Sequence, residues 1–249
     1  MLLENKVGIV YGAGGAIGGA MARGFAREGA WVFLAGRSPS KLDQVAADIR
    51  SNGGRADTLI VDALDEKQVA ACVDSVIKRA GQVDVSVNVI GVGDVQKPLM
   101  DISLDDFLQP ITNAMRTQFL TIKAAAPHMI ARKSGVILQF GGGGPQTQPG
   151  LGGFKIALDA MEGLRRQWAW ELGEHNIRVI TIKTGGIIES IPEDAPERQL
   201  IVDQLLPQTL LKRGATLADV GNVASFLASN LAQSITATEV NISCGAIVD

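Results

Sequence analysis

The chain has 249 residues, of which 46% are apolar and 20% charged, and its formal net charge is -3. That is globular composition with material for one large α/β core. No Lys/Arg block marks a nucleic-acid or membrane-binding stripe, and no apolar run reaches the ~18 residues of a membrane span.

The start, "MLLENKVGIVYG", carries no charged-then-apolar leader and runs straight into a strand. The two cysteines, Cys72 and Cys244, are far apart and lack metal-ligand spacing, which suits a reducing compartment. A soluble cytoplasmic protein without a metal site is the expectation.

Short Val/Ile-rich runs alternate with longer segments of helical periodicity. The runs Val7–Tyr11, Trp31–Ala35, Asp57–Val61, Val83–Ile90, Val136–Phe140, Ile177–Lys183 and Glu239–Ile242 read as strands. Between them, Ile17–Glu28, Lys41–Ser51, Glu66–Ala80, Leu104–Arg132, Phe154–Gly173 and Leu217–Ser229 read as helices. Continuous apolar strands between helices predict a parallel sheet covered on both faces, a doubly wound α/β fold of about seven strands. No linker, low-complexity stretch or repeat divides the chain, so one domain over 1–249 is expected. The proline-bearing segment 184–213 interrupts the alternation; it reads equally as a lid over a site or as a surface excursion with two short helices.

The stretch "VGIVYGAGGAIGGAMARGFAREG" is strand, glycine-rich turn, helix. Glycines permit a tight turn and close backbone approach, so the amides of a helix N-terminus can meet a pyrophosphate. Because the pattern follows a strand and opens a helix, it points to dinucleotide binding.

With Tyr11-Gly12-Ala13-Gly14-Gly15-Ala16-Ile17-Gly18 in register with Thr-Gly-x-x-x-Gly-x-Gly, the chain resembles the short-chain dehydrogenase/reductase family. The resemblance continues through "VDALD", "VDVSVNVIG", "AAAPHM", "WELGEHNIRV" and "LADVGNVASFLASNLAQSITATEV". It implies a Rossmann-type fold and a nicotinamide dinucleotide held by Gly12, Gly14, Gly15, Ala16, Ile17 and Gly18. Asp62 and Ala63 would stand beside adenine, and Asn88 and Gly91 would retain part of a worn Asn-Asn-Ala-Gly strand end. Thr184, Gly185 and Ile187 would lie near the nicotinamide amide, where the family usually has Pro-Gly.

Cofactor choice is read at the end of the second strand. An acid there binds a ribose 2′-OH and repels a 2′-phosphate; this chain has Gly36, followed by Arg37 and Ser38. A guanidinium suits phosphate, so NADP(H) is expected over NAD(H).

The resemblance also implies a Ser, Tyr, Lys and Asn that reduce a carbonyl. Counting back without a gap from Ala169-Trp170-Glu171-Leu172, the Tyr position falls on Phe154 and the Lys position on Leu158. The Ser pair falls on Gly141 and Gly142. The Asn position falls on Ala114, with Asn113 one residue off. The one tyrosine, Tyr11, lies at the other end of the cofactor. Lys155 points about 100° away from Phe154 around the helix.

Lys183, Gln139, Gln146 and Gln148 are the nearest substitutes, while His128 and His175 look like scaffold surface. Two functions follow: a non-catalytic NADP(H) binder, or an atypical reductase drawing its proton from water or substrate. A third reading is a scaffold that binds no nucleotide. By the same resemblance, the helices Leu104–Arg132 and Phe154–Gly173 would pair copies into a homodimer or homotetramer. The apolar and amide-bearing stretches around the presumed chemistry favour a small uncharged ligand.

Overall fold

The computed structural model describes residues 1–145, 147–195 and 198–248, with backbone only at Leu200. Its elements alternate from the start: β1 (Val7–Tyr11), α1 (Ala16–Arg27), β2 (Trp31–Gly36), α2 (Pro39–Ser51), β3 (Arg55–Ile60), α3 (Glu66–Ala80) and β4 (Val85–Asn88). They continue as α4 (Leu104–Arg132), β5 (Gly135–Gly141), α5 (Gly152–Gly173), β6 (Ile177–Lys183), α6 (Arg198–Gln208), α7 (Leu217–Ala228) and β7 (Thr238–Asn241). The strands form one sheet in the order β3-β2-β1-β4-β5-β6-β7, every neighbouring pair parallel.

Strand side chains alternate between the two faces. Val10, Val32 and Leu34 face a layer with Phe25, Val220 and Leu227. Ile9, Tyr11 and Phe33 face the opposite layer with Val73, Ile122 and Met129. The chain therefore reverses direction across the sheet between β1 and β4, and the crevice at that reversal opens at the carboxyl ends of the strands.

The element ends differ from expectation for local reasons. β4 is shorter than Val83–Ile90 because the Asn88 carboxamide oxygen accepts from the Ile90 amide, turning the chain out of the ladder. The edge strand β3 begins earlier than Asp57; Arg55 stacks over the Trp31 ring, and Trp31 Nε1 donates to Asp57 at 2.8 Å. Within segment 184–213 the described residues form a 3₁₀ turn, Ile188–Ser190, and the helix α6. Leu205 of α6 packs back towards Gly185 and Gly186.

Asp84 is a buried junction below the sheet. Its carboxylate accepts from the Val7 amide at 2.8 Å and Gln82 Nε2 at 2.7 Å, with Arg132 Nη1 at 3.2 Å. It thus joins the starts of β1 and β4 to the end of α4. Asp84→Asn keeps the shape and removes the charge, so urea unfolding should show a loss of about 1.5–3 kcal/mol, the range for hydrogen bonds to a charged group. An unchanged midpoint would mean that the carboxylate contributes no net stability.

Candidate functional site

A cleft of about 660 Å³ opens over the ends of β1, β2 and β4, within the usual range for a small-molecule site. Its floor is the glycine turn. Gly12 has φ +84°, and a Cβ there would stand 2.7 Å from the Val89 carbonyl oxygen, so only glycine lets the turn meet β4 this closely. Gly15 caps α1 with no side-chain hydrogen bond, which leaves the first-turn amides to a ligand anion. A Cβ at Gly18 would be 2.3 Å from the Gly12 oxygen, so this glycine seats α1 on the turn.

Gly36, Arg37 and Ser38 form the wall at the end of β2. Arg37 is exposed, and Ser38 caps α2 without spending its hydroxyl on the cap. Lys41 joins them, a second cation that sequence reading passed over; its place in the first turn of α2 was the available signal. Asp62, Ala63 and Gly91 line the facing side. The Asp62 carboxylate accepts from the Leu64 amide at 3.0 Å.

Three polar residues of α4 complete the wall: Gln109, Asn113 and Thr117. Their four-residue spacing puts them on one face, and Asn113 Nδ2 donates to the Val92 oxygen at 2.9 Å. Seven of the expected cofactor residues lie off this wall: Ala16, Ile17, Gly18, Asn88, Thr184, Gly185 and Ile187. Asn88 is turned inward, its Nδ2 donating to Thr121 Oγ1 at 3.2 Å. It holds the strand end in shape.

Tyr11 occupies the core beneath the turn. Its phenol is buried beside the Cys72 thiol of α3, with no well-formed hydrogen bond. Burial, then the neighbouring Cys72, holds the phenol pKa well above its ordinary value; burial likewise raises the Cys72 thiol to about 11. Neither group titrates near neutrality.

Ala114, Gly141, Gly142, Phe154 and Leu158 lie on α4, at the end of β5 and in the first turns of α5. Ala114 is buried with Ala157 and Met161, and Leu158 packs against them. Leu158 Cδ2 lies 2.9 Å from where a Gly141 Cβ would be. Gly142, at φ +96°, has the Lys183 side chain in its Cβ space, with Cγ at 2.6 Å and Cβ at 2.8 Å.

Asp159 Oδ1 stands 2.4 Å from a Cβ at Gly143 and accepts from the Gly144 amide at 3.1 Å. Lys155 donates to the Gly144 oxygen at 2.7 Å and pairs with Asp159. The glycine run is thus shaped around the side chains of Leu158, Lys183 and Asp159. Phe154 is half-buried at the start of α5. Of the glutamines, Gln139 is fully buried, Gln148 is exposed, and Gln146 lies outside the described residues.

Behind this run lies a buried charged network. Lys183 Nζ is 3.0 Å from Glu239 Oε2. Glu162 accepts from Arg165 Nε at 2.8 Å and from Thr181 Oγ1 at 2.7 Å. Burial, then a hydrogen bond shared with Glu239, raises the Glu162 carboxyl above its ordinary 4.5. The folded chain therefore binds this proton more tightly than the unfolded chain. The associated stability is fully present below about pH 4.5 and is lost as pH rises through the raised pKa. Glu162→Gln cannot titrate, so its stability should fall less steeply than the parent's upward from pH 4.5. Parallel melting curves of the two proteins against pH check this; identical slopes would exclude Glu162 as the titrating group.

The family described as enoyl-(acyl carrier protein) reductase matches residues 12–246. The chain is 28% identical to the 3-oxoacyl-(acyl-carrier-protein) reductase FabG of Thermotoga maritima over the full length of both. It is 31% identical to the oxidoreductase UcpA of Escherichia coli (strain K12), covering 95% of this chain and 92% of that relative. A crystal structure of NAD+-bound xylitol dehydrogenase superposes with a TM-score of 0.90 at 25% identity, over 98% of this chain and 100% of the other. A 7α-hydroxysteroid dehydrogenase complexed with NADH and 7-oxo glycochenodeoxycholic acid gives a TM-score of 0.89 at 29% identity, over 99% and 96%.

Proposed function

The chain belongs to the short-chain dehydrogenase/reductase family of oxidoreductases, and from there we propose that it is an NADP(H)-binding protein without the family's Tyr/Lys route for carbonyl reduction. The observation that carries the cofactor choice is the wall at the end of β2. Arg37 and Lys41 stand on the cleft, and Gly36 occupies the place where an acid would exclude a 2′-phosphate. The glycine turn and the side-chain-free cap of α1 suit the pyrophosphate. These residues fit a bound NADP(H), which when present would supply a hydride.

The loss of ordinary chemistry is supported by the residues at the family positions: Phe154, Leu158, Gly142 and Ala114. None of them carries a titratable group. The phenol of Tyr11 is buried against Cys72 of α3. Pairing of copies through α4 and α5 fits the exposure of Trp170, Phe119 and Ile156 on those helices.

Calorimetric titration with NADPH and NADH tests the reading. Micromolar binding of NADPH, clearly tighter than NADH, is the expected result. Absence of heat and of any thermal shift with either nucleotide would leave an empty scaffold. A second reading, an active reductase using a water- or substrate-derived proton, draws on the relatives named as reductases and dehydrogenases. Turnover of a carbonyl panel by the unaltered chain separates the two, and Phe154→Tyr with Leu158→Lys asks whether the ordinary route can be restored. Leu158 packs on Ala114, Ala157 and Met161, where an ammonium would be costly, so no carbonyl reduction should return. Recovered turnover of a carbonyl panel would show a pocket merely disarmed.

A further inference from the structure

Three strands bring a polar row to one face of the sheet. Gln139 of β5, Thr181 of β6 and Glu239 of β7 are register neighbours, so their side chains leave the sheet on the same side. From α5, Glu162 and Arg165 are buried against this row. Glu162 accepts from Thr181 Oγ1 at 2.7 Å and from Arg165 Nε at 2.8 Å. Its carboxyl also meets that of Glu239 in hydrogen-bonding contact. Glu239 Oε2 is a buried atom that receives no well-formed hydrogen bond, although the Lys183 ammonium lies 3.0 Å away.

An ionised carboxylate only accepts hydrogen bonds, so two of them in contact cannot bond to each other without a proton between them. We propose that one proton held between Glu162 and Glu239 latches the edge strand β7, and the chain that follows it, to α5. On this face β7 has little else to hold it. It pairs with β6 alone, and Val240, with Ile242 just beyond, packs on the opposite face, against the cluster of Val220 and Leu227. Ser243 and Ala246 then lie 3.4 and 3.0 Å from where a Gly185 Cβ would be. What holds β7 therefore also steadies the turn after β6.

Among the described residues, the charged groups facing the pair are Arg165 on α5 and Lys183 on β6, while Gln139 on β5 adds a neutral amide. Lys155 and Asp159, further towards the start of α5, pair with one another. Each carboxyl of the latch keeps a cation of its own, so losing the proton leaves both ion pairs in place and removes the bond between the carboxyls. The consequence is local opening of an edge strand, not loss of the core. Burial, then the contact with Glu239, holds the Glu162 carboxyl above 4.5. The latch is thus fully closed below that value and opens as pH rises through the raised one.

Hydrogen exchange read by mass spectrometry on the intact protein tests this, at about pH 6 and about pH 9, a span that covers documented values for buried glutamates. With rates corrected for the intrinsic exchange at each pH, protection of residues 236–247 should fall by about tenfold or more relative to that of β4, a central strand buried throughout. Glu162→Gln gives Glu239 a donor that does not titrate, so its relative protection should stay level over the same range. Glu239→Gln, which donates in the other direction, serves the same purpose if the first variant does not fold. Equal changes in 236–247 and β4, or a relative fall that persists in the glutamine variants, would overturn the inference.

Discussion

Gly142→Ser should destabilise this protein by about 2–5 kcal/mol, combining the cost of a non-glycine residue in a sparsely populated backbone region with that of overpacking. The backbone there has φ +96°, and the new Cβ would lie 2.6–3.1 Å from three carbons of Lys183. Lys183 cannot simply swing aside, since its ammonium is held 3.0 Å from Glu239 and the side chain is buried. Lys183→Ala removes two of the three clashing carbons. It also carries its own cost by taking the ammonium partner from Glu239.

The decisive quantity is therefore the coupling in a double-mutant cycle. The double variant should be less destabilised than the sum of the singles by about 1–2 kcal/mol, as for residues in direct contact. Urea unfolding of all four proteins measures it. A Gly142→Ser protein within about 0.5 kcal/mol of the parent, the scatter of neutral surface changes, would mean that Lys183 does not occupy that volume. The same cycle asks whether the glycine run and the buried lysine act as one unit.

Gly36→Asp should invert the nucleotide preference. The site accepts a side chain: the nearest atom to a Cβ there is Leu42 Cδ2 at 3.4 Å, the mobile end of a leucine. The new carboxylate would face the cleft beside Arg37. It would repel a 2′-phosphate, tie down the guanidinium and offer an acceptor to a ribose 2′-OH.

Like charges a few ångströms apart at a protein surface cost about 2–3 kcal/mol at intermediate dielectric, so NADPH should weaken about 30- to 100-fold. NADH should tighten by about tenfold, one new hydrogen bond to a charged group. Titration of parent and variant with both nucleotides reads the change directly. An unchanged NADPH/NADH ratio would remove Arg37 and Gly36 from the recognition of the phosphate.

The two predictions differ in how far the sequence could reach them. Gly36, Arg37 and Ser38 were legible because the end of the second strand and the turn that follows are local features with a local consequence. Lys41 needed only the first turn of the helix that follows. Gln109, Asn113 and Thr117 were harder, since their shared face matters only once α4 is laid across the crevice. The orientation of Asn88 was not legible, because it is held by Thr121 on a helix far along the chain.

What the sequence determined by itself was the alternation of strands and helices, the parallel sheet and the glycine turn at the first strand end. Those follow from periodicity and turn chemistry, which act over a few residues. What only the tertiary structure decided was how the end of β5 is packed. The glycine run from Gly141 to Gly144 has no side chains to pattern. Packed, it is the mould of Leu158, Lys183 and Asp159. Leu158 and Asp159 reach the run from α5 and Lys183 from β6, and interior packing admits few gaps. No short-range pattern encodes which distant side chain will enter a space that a glycine leaves.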